Sequence, residues 1–587
     1  MWSFSVARAR RILPALVVLV AVLLLVGWWV LAPIDYRQLA IHAGFALAFL
    51  SNLRFWQEAG YFDAASHDKW LLHTWSLSVE LQFYLLLPLA FFALWWLRPC
   101  KGWLAGVVAV VLVGSLWWAV VHTPADSSGA FYLLPTRAWE LLAGALVYLV
   151  ADRVRVGPAM GRSLEWAGLL LIGLALIAFD SDTPWPGSAA IVPVLGTALV
   201  LLAARQTPGW AKPVPLQWLG RVSYSLYLWH WPVVVALVYL GWQGSPGAIA
   251  AGVLVALVLA GLSYYLVEQP SRRWLTQAGL VRAPLVLGLV VVVAGAFAIS
   301  VYADRGVPGR LGASAEAIAT EANNTSPYRD NCHGRIGDPG FPWCHFGGED
   351  IRVVLVGDSH ASMLLTAVKA ALPPNAGMYA ASFTSCQTLF GARKTDSRLP
   401  CQAFNAHVLT KLDSLPPSVP VLVSNRLSAA ALGDHRVQAP EHGRPSVYFG
   451  EAPVDEADDA FRERFRQEIV ASACKLAARR PVYWLRPIPE MPVDVPRWMA
   501  RQTILHGAAP QVLLQRPEYE QRHRLVNEAM DRAAEQCGVH VLDPAPFLCD
   551  EQVCFGSRDG LPLYYDVHHL SERGNRQLVP LFRQTLN

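Results

Sequence analysis

The feature that most limits what this chain can become is the series of long apolar runs filling its first 302 residues. A run of about 20 apolar residues can cross a bilayer as a helix, because its backbone polar groups are then satisfied internally. Nine such runs are predicted as spans: 12–31, 80–97, 103–121, 131–150, 166–179, 188–204, 222–240, 248–267 and 284–302. A tenth stretch, 39–55, is shorter and carries His42 and Arg54. Beyond residue 303, charges, prolines and short strand-like runs take over. The 54% apolar content of the whole chain therefore belongs mainly to its first half, which reads as a multi-span α-helical membrane domain.

Charge decides how the tenth stretch is treated. The basic clusters are Arg8/Arg10/Arg11, Arg98/Lys101, Arg153/Arg155/Arg162, Arg205/Lys212/Arg221 and Arg272/Arg273/Arg282, while the intervening loops 122–129 and 180–187 hold no Lys or Arg. With nine spans and a re-entrant or interfacial 39–55, all of these clusters face one side, as cytoplasmic loops do. A full crossing by 39–55 would put every cluster from Arg98/Lys101 onward outside. The odd count carries the second half out of the cytoplasm. The first apolar core is longer than the 7–15 residues of a signal-peptide core, so an uncleaved anchor is expected. A formal charge of +4 is small for 587 residues, and no nucleic-acid partner is expected.

Cysteine usage agrees with that topology. Eight of the nine cysteines follow residue 303, an even set that points to disulfides and an oxidising compartment. The close pairs Cys332/Cys344, Cys386/Cys401 and Cys549/Cys554 are expected, leaving Cys474/Cys537, with buried free thiols as the alternative. Cys100 reads as an unpaired bystander. No Cys/His cluster has zinc-ligand spacing, and no metal site is expected.

Residues 303–350, rich in Gly, Pro and Asn, read as a linker packed onto the next domain, 351–587. There strands alternate with helices: strands at 351–356, 377–382, 419–424, 481–485 and 539–542, helices at 456–478, 519–537 and 571–586. That is an α/β pattern with a doubly wound, flavodoxin-like parallel sheet, in which active groups sit at strand C-termini. The acidic patch 455–459 begins a helix, where carboxylates suit the positive end of the dipole.

The first of these strands ends in Gly357-Asp358-Ser359-His360, and Asp566-Val567-His568-His569 stands just before the last helix. A serine under a helix N-terminus, followed far downstream by an acid and a base three residues apart, suits acyl-ester chemistry in the chain order Ser…Asp…His. These two blocks resemble the first and last blocks of the SGNH hydrolase and acyl-esterase superfamily. By that resemblance Ser359 is the nucleophile, His569 the base and Asp566 its orienting acid. The family's middle blocks give a Gly and an Asn to the oxyanion hole. No G-x-N-D occurs here, and Asn425 is the candidate donor, with Thr384-Ser385-Cys386 where a second loop belongs.

Polar groups in membrane segments are costly and mark either ion pairing or function. Four stretches carry them: Arg8 to Arg11, His73-Thr-Trp-Ser-Leu-Ser-Val-Glu80, Arg137 with Glu140, and Ser223-Tyr-Ser-Leu-Tyr-Leu-Trp-His230. The bland alternatives are topology signals for the arginines, an internal ion-pair set for Glu80, Arg137 and Glu140, and an interfacial aromatic belt for His230. Together these stretches closely resemble the family-3 membrane acyltransferases over residues 1–302, some of which carry an extracytoplasmic SGNH domain and O-acetylate glycans. By that resemblance Arg8 and Arg11 lie near a cytoplasmic acyl-CoA donor, and His73, Glu80, Arg137, Glu140 and His230 line the acyl path. Acetyl-CoA is then the donor with no bound cofactor, the acceptor is a glycan such as lipopolysaccharide O-antigen, and the protein sits in a bacterial inner membrane with its SGNH domain in the periplasm. Family members begin with about two further spans, the first bearing a histidine implicated in transfer; this chain starts at the arginine motif and lacks both, as a truncated start or a partial enzyme. A membrane-tethered esterase removing acyl groups from glycans is the competing function, and a non-catalytic transporter or assembly factor the third.

Overall fold

The computed structural model describes all residues except 1, 60–67, 98, 99, 125, 152, 153, 155, 181, 182, 204–208, 435–443 and 587. Arg98, Arg153, Arg155 and Arg205 of the basic clusters, and the final residue of run 188–204, lie outside the described residues. The chain divides into two compact units, Met1–Trp29 with Asp35–Val307, and Val30–Ile34 with Pro308–Asn587.

In the first unit eight helices among the described residues are long and apolar enough to cross a membrane: Trp2–Val30, Thr74–Leu97, Lys101–His122, Ser127–Val150, Pro158–Ala178, Val214–Tyr239, Pro246–Gln277 and Gly279–Ala303. Their outward faces carry exposed Leu85, Leu86, Leu89, Phe92 and Trp96 on one helix alone, an apolar surface that lipid rather than water would solvate. Nine spans were expected; among the described residues run 188–204 forms the 13-residue helix Ile191–Ala203 and does not reach membrane length. At 1.5 Å per residue it reaches roughly 20 Å, short of a hydrocarbon core of about 30 Å. A turn through Trp185-Pro186-Gly187 takes the residues before it. This helix lies against Pro158–Ala178 through two glycines; a methyl on Gly168 would fall 2.4 Å from the Gly196 carbonyl oxygen.

Stretch 39–55 is a broken pair of helices, Pro33–Leu47 and Ser51–Glu58, separated at Phe49 with φ of 55°. The break is tied to the helix Thr74–Leu97. Thr74 Oγ1 donates to Ser51 Oγ at 2.8 Å, the Ser51 N–H to Ser78 Oγ at 3.2 Å, and Gln82 Nε2 to Asn52 Oδ1 at 2.9 Å.

The second unit is built on a six-stranded sheet. Its strands are β1 (Cys344–Gly347), β2 (Asp350–Gly357), β3 (Ala376–Ser382), β4 (Val421–Ser424), β5 (Val482–Leu485) and β6 (His540–Leu542), in spatial order β1-β3-β2-β4-β5-β6. Strands β2 to β6 pair in parallel. The expectation of a wholly parallel sheet is corrected at its edge, where β1 runs antiparallel to β3. The run Val353–Val356 is fully buried because both faces are covered: Val353 and Leu355 join the core of Met363 and Leu364, while Val354 and Val356 join that of Phe404 and Phe465.

The segment 303–350, expected as a linker packed onto the next domain, carries structure of its own. From Pro308 it belongs to the second unit, forming the helix Ala313–Thr320 and the edge strand β1. It is pinned by the Cys332–Cys344 disulfide and by His333, whose ring nitrogens meet Ser382 Oγ and Thr384 Oγ1, each at 3.0 Å. Cys386–Cys401, Cys474–Cys537 and Cys549–Cys554 also pair. Asp458 caps the helix Asp459–Ala477, as the acidic patch implied.

Candidate active site

The strand β2 must turn sharply into the helix Ser359–Ala371, and Gly357 makes this possible. Its φ is 154°, and a side chain there would meet the Ser424 carbonyl oxygen at 1.9 Å. Asp358 caps the helix and collects three loops: its carboxylate accepts from the N–H groups of His360 (2.9 Å) and Arg426 (2.8 Å) and from Gln387 Nε2 (3.2 Å). Burial pushes this carboxyl up, against the pull of those hydrogen bonds. The turns after β2, β3 and β4 are thereby fastened to one atom group.

Ser359 lies at the start of that helix, buried to 9% exposure. Its Oγ is 2.8 Å from His569 Nε2, and His569 Nδ1 is 2.6 Å from Asp566 Oδ2. Asp566 Oδ1 accepts the N–H groups of His568 (2.8 Å) and His569 (2.7 Å), which fixes the carboxylate to its own turn. Burial alone would raise the Asp566 carboxyl, yet the His569 ring and these hydrogen bonds hold it at about 2. Tyr565 stacks on the His569 ring, 5.0 Å between centroids and 5° between planes. With Nδ1–H donated to Asp566, Nε2 is left to take the Ser359 proton.

Asn425 follows β4, whose end pairs Ser424 with Gly357. Its Oδ1 accepts the Thr388 N–H at 3.2 Å, and its buried Nδ2 has no hydrogen-bond partner among the described residues. An unspent buried donor is chemically able to stabilise an oxyanion that comes within its reach. Next to it, Arg426 enters a buried ion network missed in the sequence: it pairs with Glu490 (2.8 Å) and Asp434 (2.8 Å), and Arg522 also pairs with Glu490 (3.2 Å). Burial would raise Glu490, but the two arginines hold it well below the carboxylate range. The fold also brings His360 against His568 (3.2 Å) and His569, a cluster no spacing could reveal. Both His569 ring nitrogens are already engaged, by Ser359 and Asp566.

In the first unit, Arg8 lies over the Phe4 and Tyr84 rings, and Arg8 and Arg11 act electrostatically on Glu80. The Tyr224 hydroxyl donates to the Ile12 carbonyl at 2.7 Å. His73 is buried with neither ring nitrogen closely partnered among the described residues; its ring stands 5.3 Å from Tyr227 and 5.8 Å from His230. Tyr227 OH meets Ser76 Oγ at 2.9 Å, and His230 Nδ1 meets the Tyr227 carbonyl at 2.7 Å. The motifs around His73 and His230 thus share one polar cluster. Arg137 and Glu140 form an ion pair (3.2 Å), with the Arg137 guanidinium over the Trp75 and Phe131 rings. Glu268, which the sequence pattern concealed, is delivered by the π-turn Ser263–Glu268 to Ser225 Oγ at 3.1 Å.

Comparison with known proteins adds two relatives, one solved structure and two family matches. BcsY of Komagataeibacter xylinus, described as a membrane-bound transacylase, is 32% identical over 269 residues, covering 45% of this chain and 68% of that one. The peptidoglycan O-acetyltransferase OatA of Listeria monocytogenes is 28% identical over 289 residues, 46% of this chain and 46% of its own, so this chain spans less than half of that relative's length. The periplasmic domain of a Salmonella ser. Paratyphi A lipopolysaccharide acetyltransferase aligns at 12% identity over 45% of this chain and 98% of that chain, with a TM-score of 0.32, too low to bear weight. Residues 330–584 match the SGNH domain that occurs fused to such acyltransferase domains. With residues 1–305 matching the acyltransferase domain itself, the chain belongs to the membrane acyltransferase-3 family and carries that family's fused SGNH domain.

Proposed function

We propose that this protein is a membrane O-acyltransferase that moves an acetyl group from cytoplasmic acetyl-CoA to a hydroxyl of an extracytoplasmic glycan, with lipopolysaccharide O-antigen as the first acceptor to test. The observation that carries this reading is the hydrogen-bonded line Ser359–His569–Asp566 in a chain whose other unit belongs to an acyltransferase family. An esterase needs one anchor; eight membrane-length helices among the described residues, holding Arg8, Glu80 and His230 with His73 just before one of them, favour delivery of the acyl group through the membrane unit. The order β3-β2-β4-β5-β6 supports the flavodoxin-like description of the parallel strands. The setting is a bacterial inner membrane with the SGNH domain in the periplasm, which the four disulfides favour.

In this mechanism the acyl group arrives as a thioester or ester. Ser359 Oγ attacks its carbonyl carbon while His569 Nε2 takes the hydroxyl proton and Asp566 stabilises the resulting imidazolium. The oxyanion is held by the Ser359 N–H and Asn425 Nδ2, and the leaving group departs with the proton from His569. The glycan hydroxyl then gives its proton to His569 and attacks the acyl-serine, which regenerates Ser359. Full-length Ser359→Ala expressed in cells lacking the native gene tests the covalent step: glycan-bound acetate should disappear while the protein still accumulates. Undiminished acetylation would rule the step out. Measuring acetate on both O-antigen and peptidoglycan separates the two acceptors, the second being what OatA is named for.

A further inference from the structure

The pocket that opens onto Ser359 has two walls. One carries Ser359 and Tyr565; the other is formed by Thr325, Ser326, Arg329 and His333, all from the segment the sequence presented as a linker. Arg329 holds its guanidinium over the Tyr565 ring at 5.4 Å, and that ring is stacked on His569. A positive charge therefore stands one aromatic ring from the candidate base. Arginines elsewhere around the site are neutralised: Arg426 and Arg522 share Glu490, and Arg573 pairs with Glu321. The adjacent carboxylate, Asp330, is taken by Arg335 at 2.5 Å. Arg329 makes no ion pair among the described residues, although it is half-buried and lines the pocket that holds Ser359. Withdrawing a guanidinium partly from water without a counter-ion is unfavourable, and its planar donor fork matches a carboxylate or phosphate.

We infer that Arg329 is the acceptor-recognition residue, binding an anionic group on the sugar whose hydroxyl attacks acyl-Ser359. This rests on the acyl-transfer reading above and specifies its substrate class: an acidic sugar, carrying a carboxylate or a phosphate near the acylated hydroxyl. The pre-sheet segment is then the part of the domain that selects the glycan, while the strand-end loops supply the chemistry.

The test uses the full chain in detergent with 4-nitrophenyl acetate as donor, which makes the outcome independent of acyl-CoA. Three acceptors are compared: an oligogalacturonate, a sugar phosphate and the neutral maltotriose. The wild type should favour one anionic acceptor over the neutral one by about tenfold or more in kcat/KM, a preference that salt weakens. Arg329→Gln should erase that preference through KM with kcat for the anionic acceptor retained, and Arg329→Lys should restore part of it. Equal use of neutral and anionic sugars by the wild type overturns the inference. So does an Arg329→Gln protein that melts normally but loses kcat alike for all three, since that places the arginine on the reacting atoms. Release of nitrophenol with no acetylated sugar from any acceptor would instead defeat the transfer reading, and this inference with it.

Discussion

Replacing Asp566 by Asn removes one negative charge and changes little in shape. The wild-type carboxyl sits at about 2 against an ordinary 3.8, a displacement that survives the opposing effect of burial and comes from His569 and the two backbone N–H groups. At about 1.36 kcal/mol for each tenfold change in proton affinity, the difference is about 2.4 kcal/mol. Only the share contributed by the His569 ring supports the imidazolium formed when His569 takes the Ser359 proton, so the lost support is at most about that size, at most about 60-fold in rate. The asparagine amide also offers its N–H₂ to Nδ1 and favours the tautomer with the proton on Nε2, which cannot act as base toward Ser359. That second effect brings the expected loss to the order of 10³–10⁴. The assay is nitrophenol release from 4-nitrophenyl acetate by the full-length protein, run beside glycan acetylation, with a melting curve to confirm folding. A loss of less than tenfold in a normally folded Asp566→Asn protein would refute the argument that this charge drives the base.

The same carboxylate sets an acid limit. Its folded pKa is depressed, so its contribution to stability is present above about pH 4 and disappears as the pH falls toward about 2; acid unfolding of the wild type should show this loss and Asp566→Asn should not. Asn425→Asp keeps the oxygen that accepts from Thr388 and deletes the unpartnered Nδ2, so kcat should fall on the order of 100-fold with KM little changed. Glu490→Ala strands Arg426 and Arg522 without their buried counter-ion and should cost about 3–5 kcal/mol, read as a lowered melting temperature; an unchanged melt would contradict the network's role. Removing the Cys474–Cys537 bridge, whose ends are 63 residues apart, should cost about 4 kcal/mol by loop entropy. His73→Ala should abolish acetylation fed by acetyl-CoA while nitrophenyl ester turnover persists; loss of both would place His73 outside the delivery path.

The parts of this architecture that follow local rules were readable from the chain. Val353 to Val356 had to be a doubly covered strand, and a Gly-Asp-Ser after it, with Asp566 and His569 before the last helix, pointed to the hydrogen-bonded line that the fold assembles. Short sequence separations made three of the four disulfide pairs the natural choice. The remainder lacked periodicity or depended on distant partners. β1 is four residues long among glycines and prolines, and it needs β3 to exist as a strand. Glu490 lies in the irregular stretch Ile488-Pro-Glu-Met-Pro492, 64 residues from Arg426, so no spacing linked them. Glu268 faces Ser225 only because a π-turn shifts its register on an otherwise apolar helix. Run 188–204 looked long enough by composition, but residues 188–190 still belong to the turn that precedes the helix Ile191–Ala203.

The carboxylate of Asp358 fastens three turns at once, so on the acyl-transfer reading the proposed nucleophile and oxyanion donor are set in place by folding itself. No rearrangement has to be driven by an arriving cargo. If Ser359 is the nucleophile, such a domain stands permanently cocked: any sufficiently activated ester that reaches the serine should be accepted, whichever route brought it there. Discrimination must then fall on delivery and on the choice of acceptor rather than on the bond-making step.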